Sequence, residues 1–236
     1  MTEQTVSRKT LNHFSLIRFT QTFWDAESGV RKQIVEEWQA KLQAAQACHY
    51  WYQVGPLRAG ADLLLWSALP VEGPVDSARF FKQLAGSLNA RRRWIEPVET
   101  LWGYTRPSQY ARGQSSQEID PLQPKRSTYL VAYPFMKTAD WYLLSRDTRQ
   151  GMMNQHIRIG HQYPEITQLL LYSTGLQDQE FVVVYETEDL SRFSELVSEL
   201  RGSEARRYTL RDTPVYTAIW RAPDALAALL AGEEAV

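Results

Sequence analysis

The chain has 236 residues, 44% apolar and 22% charged, with a formal net charge of −1, which is enough to bury a core as one large domain or two small ones in an ordinary soluble composition. The near-neutral balance argues against a broad nucleic-acid footprint, and the single cysteine, Cys48, excludes an internal disulfide framework or a multi-cysteine metal site. No stretch approaches a transmembrane span, and the polar start from Met1 to Thr10 lacks an apolar h-region, so cytoplasm is the expected compartment.

In chain order, the first half predicts a strand near Phe14–Phe23, a helix near Val30–Ala47 and a strand near Tyr50–Val54. A strand near Asp62–Ala68, a helix near Ser77–Ala90 and a strand near Val98–Tyr104 follow. The first helix sets Val30, Ile34, Trp38 and Leu42 on one apolar stripe. Ser108 to Ser127 is polar, with Gly113, Pro121 and Pro124, and reads as a linker. The second half repeats the order of the first: the apolar run Gln179–Glu186, a polar break, a helix opening at Ser191, and a terminal strand over Pro214–Trp220. Each half therefore reads β-α-β-β-α-β, an α+β ferredoxin-like arrangement. The expected division is residues 1–115, a linker at 116–127, and residues 128–236.

Eight Trp and twelve Tyr give the chain much flat apolar surface to bury, in its own core, against a flat ligand or between subunits. There are four histidines. Met152, His156, Ile159 and Tyr163 fall at i, i+4, i+7 and i+11, so a helix beginning after Leu144, with Ser145 as its N-cap, carries His156 on its apolar stripe. By itself such a histidine is more often a hydrogen-bonded core residue than a ligand. His161 lies about 140° further round and is expected in solvent, so the two do not make a metal site.

The second half also carries Lys137-Thr-Ala-Asp-Trp-Tyr142, then Met153-Asn-Gln-His156 with Tyr163 seven residues later. Tyr172-Ser-Thr-Gly-Leu-Gln-Asp-Gln-Glu-Phe181 and Tyr185-Glu-Thr187 with Phe193 follow. In this order and spacing, the run from Tyr129 to Trp220 resembles the chlorite-dismutase-like superfamily. The resemblance implies that the two repeats join their sheets into one subunit of the dimeric α+β barrel type. It implies that His156 is the proximal ligand of a heme iron, with its other ring nitrogen held by a carboxylate or carbonyl. Glu204 is either that carboxylate or a surface charge at a helix end. Trp141 is expected beside the imidazole, and Arg207 and Thr213 near the propionates.

Two positions separate branches of the family. Chlorite-decomposing members carry a distal Arg, a fixed cation for an oxyanion leaving group. Counting back from Gly175 that position is Gln168; counting forward from His156 it is Leu169. Neither is Arg. Tyr133, in Tyr129-Leu-Val-Ala-Tyr-Pro-Phe-Met-Lys137, shares a strand face with Lys137 and is similar to the Tyr-Pro-x-x-Lys of the coproheme decarboxylase branch. That branch converts iron coproporphyrin III to heme b by oxidative decarboxylation of two propionates with hydrogen peroxide. Tyr133 would be a transient radical, Lys137 a cation for the propionate, and Gln168 a distal hydrogen-bonding group. A propionate-holding Arg of the family falls at Ile119 here, so Arg126 or Arg112 takes its place or the contact is missing. The Arg91-Arg92-Arg93 run reads as a solvated face. The implied partners are the porphyrin substrate, further copies in a homopentamer, and the ferrochelatase that makes coproheme. A non-catalytic heme-binding, delivery or sensing protein is the competing reading, and a chlorite dismutase the third.

Overall fold

The computed structural model describes residues 9–43, 46–110 and 115–233. The first half is β1 (Thr10–Phe19), α1 (Gln21–Trp24), α2 (Ser28–Gln43), β2 (Cys48–Gln53), β3 (Leu63–Pro70), α3 (Asp76–Asn89) and β4 (Ile95–Thr105). The second is β5 (Tyr129–Lys137), α4 (Ala139–Leu143), α5 (Arg146–Gly160), β6 (Thr167–Tyr172), β7 (Phe181–Thr187) and α6 (Leu190–Arg201). A 3-10 turn (Glu204–Tyr208), β8 (Thr209–Arg211), β9 (Tyr216–Arg221) and α7 (Pro223–Ala231) complete it.

Strand order is β4-β1-β3-β2 in the first half and β9-β5-β7-β6 in the second, the same ferredoxin-like order twice. The halves meet edge to edge, β2 on β9 and β4 on β6, so eight antiparallel strands close into a barrel with β8 appended to β5. Closure removes the exposed edges that either half would leave alone. The seams are short: Trp51–Gln53 faces Ile219–Arg221, and Tyr104–Thr105 faces Leu171–Tyr172. Gly103 sits at the second seam because a Cβ there would lie 2.7 Å from both Ser173 Oγ and the Tyr172 carbonyl. A side chain would push the strands apart.

The barrel interior is packed with Phe14, Tyr52, Leu64, Trp66, Leu130, Leu171 and Val184, all fully buried. One ion pair is enclosed with them: Arg126 to Glu186 at 3.5 Å, with side chains 2% and 5% exposed. Tyr52 donates to the same carboxylate at 3.2 Å, and the Arg126 guanidinium lies over the Tyr50 and Trp66 rings. Burial pushes the Glu186 carboxyl up to about 7, with Arg126 and Tyr52 opposing. The stretch read as a linker is part of this packing. Ile119 is buried in the interior, its N–H donates to the Gln168 carbonyl, and Gln117 Nε2 reaches the carbonyls of Gly160, Tyr163 and Ile166.

The outer face of the first sheet is sealed. Leu11, Ile17, Trp51, Leu63 and Leu65 pack under Trp38, Phe80, Leu84, Leu226 and Leu230 from α2, α3 and α7. The sequence reading omitted α7 and β8. It also set the first strand too late: β1 ends at Phe19 because Thr20 caps the one-turn α1 by accepting from the Phe23 amide. Phe23 is then buried from a helix rather than a strand.

Candidate functional site

The outer face of the second sheet is built by strand register. Three cross-strand rows run over β6, β7 and β5: Gln168–Tyr185–Val131, Leu170–Val183–Tyr133, and Tyr172–Phe181–Phe135. Paired residues in adjacent strands share a face, so these nine side chains form one apolar platform with a polar corner. At one end it is closed by Leu196, Phe193, Ile159 and Tyr163 from α6 and the end of α5. At the other, Trp141, Met152 and Ala205 make a second cluster with Tyr110, Leu144 and Tyr208. Neither cluster covers the last row, in which Tyr172 and Phe135 each contact the Phe181 ring, nor Leu170, which is 42% exposed. The first sheet has no such open strip, because three helices cover it.

Helix α5 links the two clusters, with Met152 in one and Ile159 in the other. Ser145 caps it, as the sequence predicts, by accepting from the Thr148 amide at 3.1 Å, and Asp147 stands in its first turn. The apolar stripe holds for Met152 and Ile159, while the helix ends at Gly160, so Tyr163 packs from the following turn. His156 is half-buried and, among the described residues, has no hydrogen-bond partner. Burial, and then the Lys137 charge, push its pKa down to about 4, so the imidazole is neutral with free ring nitrogens. No group of three or more His, Cys, Asp and Glu able to hold a metal ion occurs among the described residues. A lone imidazole of this kind suits a metal that brings its other ligands in a macrocycle, and the open aromatic strip beside it suits a flat ring.

Lys137 stands near it. Its Nζ is 4.3 Å from the Trp141 ring centroid, 5.1 Å from that of Phe135, and donates to the Ala205 carbonyl at 3.4 Å. Burial and then Arg206 lower its pKa to about 8, with Glu180 opposing, so it is largely charged at neutral pH. The Lys137 amide donates to Glu180 Oε2 at 2.7 Å, which fixes the strand end. Tyr133 stacks on Tyr185, with ring centroids 6.3 Å apart. Burial, then Tyr185 at its hydroxyl, hold Tyr133 well above the ordinary phenol range.

Of the expected residues, strand register puts Tyr133 and Gln168 on one face, Lys137 lies over Phe135 of that face, and His156 is close enough to Lys137 to feel its charge. Gln168 is exposed on the Tyr133 face, while Leu169 is 3% exposed inside the barrel. Trp141 touches Lys137, Tyr110 and Tyr208 rather than the His156 ring. Glu204 is exposed at the start of the 3-10 turn; its amide donates to Gln155 Oε1 at 3.3 Å, and its carboxylate is not bonded to His156. Arg207 and Thr213 are exposed. Ile119 and Arg126 belong to the barrel interior, away from the Tyr133 face, and Arg112 lies outside the described residues. Arg91–Arg93 follow α3 on the first half. The sequence reading missed Arg206 and Arg201, which both pair with Asp212, at 2.5 and 3.7 Å. It also missed Glu180 and Arg149. The adjacent Arg206-Arg207 could have signalled the first; nothing local signals Glu180.

A family model described as chlorite dismutase matches residues 31–221, and the chain belongs to that family. Among curated proteins it is 28% identical over 167 residues to the coproheme decarboxylase of Mycolicibacterium smegmatis, covering 70% of each chain. It is 30% identical over 161 residues to that of Staphylococcus carnosus, covering 61% of this chain and 62% of that one. Among solved structures, a chlorite dismutase from Candidatus Nitrospira defluvii in complex with imidazole superposes with a TM-score of 0.81 at 20% identity, over 97% and 98% of the two chains. A mutant of that enzyme gives 0.82 at 19% identity over the same shares. These structures establish the fold. Among the described residues no helix is long and apolar enough to cross a membrane.

Proposed function

We propose that this chain is a peroxide-dependent coproheme decarboxylase that converts iron coproporphyrin III to heme b. The reading is carried by a neutral, unpartnered His156 within electrostatic reach of Lys137, together with the open aromatic strip whose strand register puts Tyr133 and Gln168 on one face. The similarity to curated coproheme decarboxylases supports it.

When bound, the iron porphyrin supplies the redox chemistry, with hydrogen peroxide as oxidant. The chain's residues have distinct tasks. His156 binds the metal through a ring nitrogen that needs no deprotonation above about pH 4. Phe135, Phe181 and Leu170 exclude water from the ring face. Lys137 holds a propionate as a point charge, and Trp141 and the Ala205 carbonyl fix its ammonium. Tyr133 keeps its proton through burial; losing an electron therefore means losing the Oη proton as well, and Tyr185 stands beside that hydroxyl. Gln168 offers a neutral amide where chlorite chemistry needs a fixed cation. Glu204, Arg207 and Thr213 are exposed, and in this reading they would engage propionates or the imidazole once the porphyrin is bound. In this reading residues 128–236 bind the porphyrin, residues 1–115 are structural, and a cytoplasmic homopentamer supplied by a ferrochelatase is the working assembly.

The test loads purified protein with iron coproporphyrin III, adds hydrogen peroxide stepwise, and follows the porphyrin by mass spectrometry. Successive loss of two carboxyl groups, abolished by Tyr133→Phe with binding retained, is the expected result. Tight binding with no conversion would refute the enzyme and leave heme carriage or sensing.

A further inference from the structure

Arg149 is half-buried on α5, and its Nε is buried with no hydrogen-bond partner among the described residues; it makes no ion pair among them either. Glu180, which shares Tyr142 as a neighbour with Arg149, is already engaged: it accepts from the Lys137 amide and bonds to Tyr142, while Arg149 acts on that tyrosine only through its charge. A guanidinium nitrogen withdrawn from water without an acceptor is destabilising, and its ordinary remedy is an anion. Thr138 Oγ1, directly after Lys137, is likewise buried without a partner.

Position supplies the anion's identity. Arg149 precedes His156 by seven residues, two helical turns, so both side chains leave the same face of α5 about 10 Å apart along its axis. That is comparable to the reach from the centre of a porphyrin to its peripheral carboxylates. A planar fork with Nε and one Nη free on the same edge matches a carboxylate in bidentate geometry.

We propose that Arg149 is a propionate anchor, binding one peripheral carboxylate of the porphyrin through its Nε–Nη edge and so setting the rotation of the ring about the His156–metal axis. This rests on the porphyrin-binding reading above. It makes Arg149 a specificity-determining residue presented by the same helix as the metal ligand.

The experiment titrates wild type, Arg149→Met and Arg149→Lys with iron coproporphyrin III and with its tetramethyl ester, reading the Soret band in one detergent-containing buffer. Arg149→Met is expected to weaken coproheme binding about ten- to hundred-fold, the worth of a charge-assisted pair. Binding of the ester and the Soret position should be unchanged, and Arg149→Lys should fall between. Equal affinities of wild type and Arg149→Met for coproheme would overturn the proposal. So would an equal loss for both ligands with a lowered thermal midpoint, which marks a structural residue. Failure of wild type to bind either ligand would overturn the porphyrin reading itself, a result the other two outcomes cannot imitate.

Discussion

Replacing His156 by Gln should remove a defined slice of the protein's acid sensitivity. The imidazole has a folded-state pKa of about 4, against an ordinary value of 6.5. Between those values the unfolded chain binds a proton that the folded chain refuses, so stability is intact above pH 6.5 and is lost as pH falls toward 4. Integrating the two titrations between about pH 7 and about pH 4.5 gives a loss of about 2.5 kcal/mol attributable to this one side chain. His13 and His49, also lowered to about 4 by burial, lie in the first half and titrate identically in both proteins, so they cancel. The assay is urea denaturation of apo wild type and His156→Gln across that range, comparing the difference in unfolding free energy. A difference that stays constant with pH would refute the argument that His156 is held neutral by its surroundings. That would remove the physical basis for its availability as a ligand.

Other outcomes follow from the same structure. Gly103→Ala should destabilise the fold by about 1–3 kcal/mol, since the new Cβ meets backbone as well as a side chain; thermal unfolding checks it. Arg126→Met should cost about 3–5 kcal/mol by stranding the enclosed Glu186, while Arg126→Met combined with Glu186→Leu should recover most of that loss in urea melts. Leu170→Glu should leave apo stability within about 0.5 kcal/mol, because the residue is exposed. It should nevertheless abolish porphyrin binding by setting a charge under the ring, which a Soret titration reads.

Much of this was legible in the chain. Alternation along Tyr129–Lys137 put Tyr133 and Lys137 on one face because a half-covered strand declares its period, and Ser145 announced the start of α5. The order of β and α segments gave the repeated half. What stayed hidden depended on contacts distant in sequence. Counting alone left Gln168 and Leu169 undecided; only pairing of β6 with β7 turns Gln168 outward and Leu169 into the barrel. Polar composition suggested that residues 116–127 were a simple connection, yet Ile119 and Arg126 fill the barrel because their partners, Gln168 and Glu186, are 49 and 60 residues later in the sequence. Nothing in the local sequence marks Arg149, because the burial of its Nε comes from the fold.

Helix α7 carries a consequence for how the molecule is made. Residues 223–231 cover the sheet of residues 10–105, and Arg31 grips the last turn through the carbonyls of Leu230 and Ala231. During synthesis the half that leaves the ribosome first therefore cannot fully close its outer face until α7 has emerged. The part of that face that α7 covers must wait through the translation of the whole second half. Folding of the first half is thereby tied to the arrival of α7: a chain broken off before it has every residue of the candidate site and yet cannot fully cover the surface it made at the start.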